Sequence, residues 1–300
     1  MRRFVVAASV AALCLPSAIA LAQKGPAIPD LASSPFGWQT TMEDWEDPPP
    51  RNGHGPMTND PAYPFVNNSV SDAPANGAAQ TVDPEYVRRN GPQPTVRIAN
   101  SKDPILKPWV AAAVQATNDE ILQGKRKLPF LAHSRCWPGG VPGQLVYPFE
   151  PVYFIQTPKA VWMMWQRDHM VRRVYLTDKH SPHPKPSWFG ESIGHYENGD
   201  TLVVDTIGLS ANTFSYIDNF RTPHSEKEHV VERFTISPDG NSLTAIARVD
   251  DPEAYNAPIT MMRKWTKVRA PMAETVCAEN NDDHFNENLH PIPQADRPDF

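Results

Sequence analysis

Cysteine is scarce in this chain, at 3 of 300 residues. One of the three, Cys14, sits in an N-terminal apolar stretch that reads as removed on export, which leaves Cys136 and Cys277. Two cysteines are too few to build a zinc site alone. In an oxidising compartment they most simply pair, so a Cys136–Cys277 disulfide is expected, with two free buried thiols as the alternative. Positive charge is also short. Lys and Arg number 28 against 34 Asp and Glu, for a formal charge of −6, and loss of Arg2 and Arg3 takes it to −8. That balance speaks against nucleic acid and anionic lipid as partners. Beyond the first 22 residues no apolar run is long enough to span a bilayer, so no membrane association is expected after cleavage. Neither a Gly-rich phosphate loop nor a dinucleotide fingerprint occurs, and no cofactor is expected.

The N-terminus has the parts of a secretory signal. Arg2 and Arg3 form a basic start, Phe4 to Ile19 is uncharged and apolar, and Ala20-Leu21-Ala22 is a small-x-small cleavage site. Pro16 interrupts the stretch, which argues against a membrane anchor, and Leu13 before Cys14 argues against a lipoprotein. Residues 1–22 are read as a signal peptide, Gln23 as the mature N-terminus and the location as periplasmic or secreted.

Proline is plentiful, at 33 residues. Residues 23–102 hold Pro48-Pro49-Pro50 and no sustained periodicity, and read as a Pro-rich extended arm docked through Trp38, Trp45, Tyr63 and Phe65. Residues 103–278 form the folded domain. It opens with one helix at 107–123, whose stripe is Val110, Val114, Thr117 and Ile121, with Gly124 as its stop. From 151 to 268 the pattern changes to period two. Candidate strands are 151–156, 160–166, 170–177, 190–197, 200–207, 228–236, 242–249 and 258–267. The fold class is therefore mainly β, a single antiparallel meander curled into a barrel or half-barrel. Residues 279–300 read as a mobile acidic tail.

Asn198-Gly199 spells a two-residue hairpin turn. That register puts Ser192 opposite Asp205 and Tyr196 opposite Thr201 on one face, with His195 opposite Leu202 on the other. In the next hairpin Val230, Phe234 and Ile236 share a face with Glu232. A carboxylate there must be paired or protonated, and Arg172, Arg173, Arg233 and Arg248 are the arginines within reach. His180 and His183 lie in a Pro-rich loop beside Asp178, and His224-Ser225 ends another. His-x-x-His suits zinc, but no helix fixes the spacing, and no metal is expected. Gly190-Glu191-Ser192-Ile193-Gly194 matches a nucleophile-elbow pattern, yet it reads as strand and not as a strand-to-helix turn. Trp162 to Trp165, Met261, Met262 and Trp265 are core packing or the lining of an apolar site.

Several segments together carry a signature: Arg173-Val174-Tyr175, His183-Pro184, Trp188-Phe189-Gly190-Glu191-Ser192-Ile193-Gly194, the run Asp200 to Thr206, His224-Ser225, Glu232-Arg233-Phe234 and Asp250-Asp251-Pro252. With Cys136-Trp137-Pro138-Gly139 upstream and Glu274 to Asn280 downstream, the chain over roughly 108–280 resembles a family of secreted, uncharacterised bacterial proteins. The resemblance implies one domain and draws together His183, Ser192, Asp205, His224, Glu232 and Arg233. Three functions follow as alternatives. The first is a barrel that binds a small, partly apolar molecule, with Arg173, Arg233, Ser192, Tyr175 and Trp188 as ligand contacts. The second is a cofactor-independent acid/base enzyme (lyase, isomerase or hydrolase) with Asp205 or Glu232 as base and His183 or His224 as acid. The third is a structural or partner-binding role.

Overall fold

In a computed structural model the described residues are 28–32, 35–40, 45–49, 53–63, 97–122, 137–146, 151–167, 170–211 and 215–274. Cys136, Cys277, the signal segment, Phe65, Gly124 and the 279–300 tail lie outside them, so the disulfide, the leader, that docking point, the helix stop and the tail remain expectations from sequence.

Nine strands close into one barrel in sequence order. They are β1 (Phe36–Gln39), β2 (Val152–Gln156), β3 (Ala160–Trp165), β4 (Val171–Tyr175), β5 (Glu191–Glu197), β6 (Thr201–Ile207), β7 (His229–Ile236), β8 (Ser242–Asp250) and β9 (Ile259–Arg269). The eight strands expected between 151 and 268 are all present. The ninth comes from the arm. Trp38 pairs with Val152 of β2, and Phe36 to Gln39 pair with Arg269 to Thr266 of β9.

That ninth strand also forces a change from a pure antiparallel meander. Strands that alternate in direction cannot close a ring of odd number, so at least one neighbouring pair must be parallel. It is β4–β5, joined only through Val174–Ser192 and Tyr175–Ile193. A parallel step needs a crossover, and residues 176–190 provide it.

The one described α-helix, α1 (Pro108–Leu122), buries Val110, Val114, Asn118 and Ile121. The third position of the stripe is therefore Asn118 and not Thr117. Asn118 is tolerated because its amide pairs with both backbone groups of Ala99, at 3.1 and 2.8 Å. Further parts of the arm follow β9. Glu46 and Met262 exchange two backbone hydrogen bonds (2.9 and 2.8 Å), and Thr260 donates to the His54 carbonyl at 2.7 Å.

The β5–β6 hairpin departs from its expected register. Its loop is Asn198-Gly199-Asp200, so Glu197 faces Thr201, His195 faces Val203 and Ser192 faces Thr206. Asn198 and Gly199 take the expected positive φ (54° and 80°). Asp200 leaves the β5–β6 ladder because its carbonyl accepts from Ile236 of the adjoining strand at 2.9 Å. A shift of one residue exchanges faces. Ser192, Tyr196 and Thr206 now share the inner wall, and Asp205 turns outward opposite Ile193.

Candidate functional site

The inner wall is apolar over most of its area, with Phe154, Met163, Val174, Leu202, Phe234 and Met261 buried in one core cluster. Phe154 meets Phe234 edge-on at 6.0 Å between centroids. Into this wall β4 turns Arg172, β5 Ser192, β6 Thr206 and β7 Glu232. The strand period of two leaves each no other direction once its apolar neighbours face inward. Arg172 donates through Nη1 to Glu232 Oε1 (2.9 Å) and through Nη2 to Glu232 Oε2 (2.5 Å). It also donates through Nε to Ser192 Oγ (3.1 Å) and through Nη2 to Thr206 Oγ1 (2.8 Å), and the two hydroxyls lie 3.0 Å apart. Arg172 is 2% exposed and Glu232 0%, so neither charge is screened by water. A two-pronged guanidinium–carboxylate pair with hydroxyls on the remaining donors is the arrangement that makes such burial tolerable.

Asp205 stands outside the barrel, 38% exposed, and accepts from two histidines. Nε2 of His180, from the crossover, and Nε2 of His229, from β7, each lie 2.9 Å from Asp205 Oδ1. His180 Nδ1 faces Glu191 Oε1 at 3.1 Å. The hydrogen bond from His229, with help from His180, holds the Asp205 carboxyl below the usual carboxylate range against a burial effect of opposite sign. The same bond raises His229 above the ordinary imidazole value. Among the described residues no group of three or more His, Cys, Asp or Glu side chains is arranged to hold a metal ion.

His224 lies at neither place. It is 4% exposed, in the loop between β6 and β7, with Ser215 (3%) and Glu228 (2%). Its Nε2 is 2.6 Å from Ser215 Oγ. Its Nδ1 is 2.8 Å from Glu228 Oε2 and 2.9 Å from the Ser225 carbonyl. The carbonyl takes the aligned hydrogen bond; Glu228 is an ion-pair contact whose oxygens make no hydrogen bond among the described groups. Burial pushes Glu228 up. Burial, the largest single effect, would lower His224, but the Glu228 carboxylate, the Ser225 carbonyl and Asp251 together outweigh it and the net direction is upward. Asp251 is 1% exposed and fixes this loop by accepting from Ser225 N (2.6 Å) and Ser225 Oγ (2.7 Å).

The residues named from sequence are thus dispersed. Glu232 and Ser192 meet inside the barrel, Asp205 outside it, and His224 in the β6–β7 loop. Arg233 is outward and pairs with Glu197. Arg173 is exposed and lies over the rings of Trp162 (4.8 Å) and Tyr175 (4.2 Å). Trp188 packs beside Trp137 at 6.1 Å, and His183 is exposed in the crossover. Thr206 and Ser215 were not singled out by sequence. Thr206 would have followed from a three-residue hairpin loop. Ser215 lies in irregular chain, where no period points to it. Compared with protein-family models, with curated proteins and with solved structures, the chain matches none.

Proposed function

We propose that the protein is exported and uses its barrel to hold a small, partly apolar molecule. The observation that supports this is a polar cluster, Arg172–Glu232–Ser192–Thr206, set in a largely apolar inner wall. Ligand sites in β-barrels combine those two features, apolar surface for affinity and a few fixed polar groups for orientation. Export rests on Arg2, Arg3, the apolar run after them and Ala20-Leu21-Ala22, and on the resemblance to secreted bacterial proteins. Native mass spectrometry of protein purified from periplasm tests the binding. A mass excess that disappears on mild denaturation is expected, and a bare-chain mass after extraction under native conditions counts against it. N-terminal sequencing of the same material should begin at Gln23. An acid/base enzyme built on Asp205 and Glu232 together is not favoured, since β6 and β7 turn them to opposite faces of the wall.

A further inference from the structure

Buried histidines with both ring nitrogens engaged are worth reading for their tautomer. The groups facing His224 Nδ1 are a carboxylate and a carbonyl, and the carbonyl can only accept. The proton of neutral His224 is therefore fixed on Nδ1, and Nε2 is left as an acceptor. The Ser215 hydroxyl, 2.6 Å away, donates to it. A hydroxyl aimed at a bare imidazole nitrogen, with a carboxylate behind the other nitrogen, is the arrangement that activates a serine.

We propose that Ser215, His224 and Glu228 form a serine-nucleophile site for transfer of an acyl group from an ester, a function beyond ligand binding by the barrel. Ser215 Oγ attacks the acyl carbon and passes its proton to His224 Nε2. As the carbon–oxygen bond to the leaving group breaks, that proton goes to the departing alkoxide. Water then repeats the sequence on the acyl-serine, gives its proton to Nε2, and releases the acid as the proton returns to Oγ. Glu228 is a positioning residue that stabilises the transient imidazolium. Gly140 packs against the nucleophile: a Cβ there would lie 2.9 Å from Ser215 Oγ.

The test uses the full mature protein and a short-chain alkyl fluorophosphonate, with p-nitrophenyl acetate as the acyl donor. The phosphorus–oxygen bond forms at Ser215 as fluoride leaves, and peptide mass spectrometry of the wild type should place the adduct there. This readout needs no variant to fold. Ser215→Ala should take no label, and His224→Asn should label more slowly by about 100-fold or more, the usual worth of a general base. In Glu228→Gln the loss of the carboxylate lowers His224, so labelling should switch on at lower pH than in wild type, which a merely structural role would not produce. Failure of folded wild-type protein to label at millimolar probe, or labelling at another residue, would overturn the site. Either result leaves the native-mass test of ligand binding unaffected.

Discussion

At the scale of single residues one ion pair is central to the barrel interior. Glu232 meets Arg172 through both carboxylate oxygens with no water to screen either. Removing one partner leaves a buried charge, so Glu232→Gln should cost roughly 3–5 kcal/mol in urea unfolding. Replacing both at once by apolar residues of similar size, as in Arg172→Met with Glu232→Leu, should recover most of that loss. A Glu232→Gln protein as stable as wild type would show that the pair does not carry the interior. Asp205 and His229 give a second, weaker test. Asp205 is lowered, so its contribution is present above the free carboxyl value and fades as pH falls through the folded one. His229 is raised, so its contribution is full below the free imidazole value and is lost as pH rises through the folded one. The pair is therefore strongest between about pH 4 and 6.5. Both side chains are more than a third exposed, which keeps it under about 1 kcal/mol. Proton NMR titration should find His229 titrating lower in Asp205→Asn than in wild type.

At the scale of elements, the strands were legible and one register was not. Alternation from 151 onward placed all eight strands there because each has one buried face, the condition under which a period of two appears. The β5–β6 register was misread because the length of a hairpin loop depends on its neighbour. Ile236 of β7 takes the Asp200 carbonyl, and nothing within Asn198-Gly199-Asp200 announces that. The same one-residue shift sent Asp205 outward and hid the Ser192–Thr206 pair. Glycine substitutions separate two causes of strain at the ends of these elements. Gly190 and Gly240 both have positive φ, at 58° and 70°. A Cβ at Gly240 meets nothing within 4 Å, whereas at Gly190 it would lie 2.4 Å from the Ile207 carbonyl. Gly240→Ala should cost about 1–2 kcal/mol from backbone conformation alone. Gly190→Ala should cost clearly more in the same unfolding assay, because a backbone oxygen of β6 must move; equal losses would refute the steric account.

At the scale of the whole molecule, the part least legible in sequence is the part that closes the barrel. The segment 23–102 lacks periodicity because β1 is only four residues long, and four residues carry two alternations. Trp38 and Trp45 were recognisable as docking points, and both are buried, with indole N–H groups donating to the carbonyls of Leu31 (3.1 Å) and Ile217 (2.9 Å). That one of them docks as a strand depends on β2 and β9 presenting unpaired edges at the right separation, which only the assembled sheet fixes. This predicts how the chain responds to losing that segment. β2 and β9 are each antiparallel to β1, so they run parallel to one another. Deleting residues 23–40 leaves eight strands that can reclose only by adding a second parallel seam and by filling the space of a fully buried tryptophan. Emptying a site of that size by Trp→Ala alone typically costs about 3–5 kcal/mol. The open edges of β2 and β9 would also offer unpaired backbone groups to other chains. The truncated protein should therefore melt well below the chain that keeps residues 23–40 and associate with rising concentration in sedimentation velocity. The single substitution Trp38→Ala should lower the melting temperature while the protein stays monomeric, since it keeps the β1 backbone in place. A truncated chain that stayed monomeric with an unchanged melting temperature would mean that the barrel does not depend on β1 for closure.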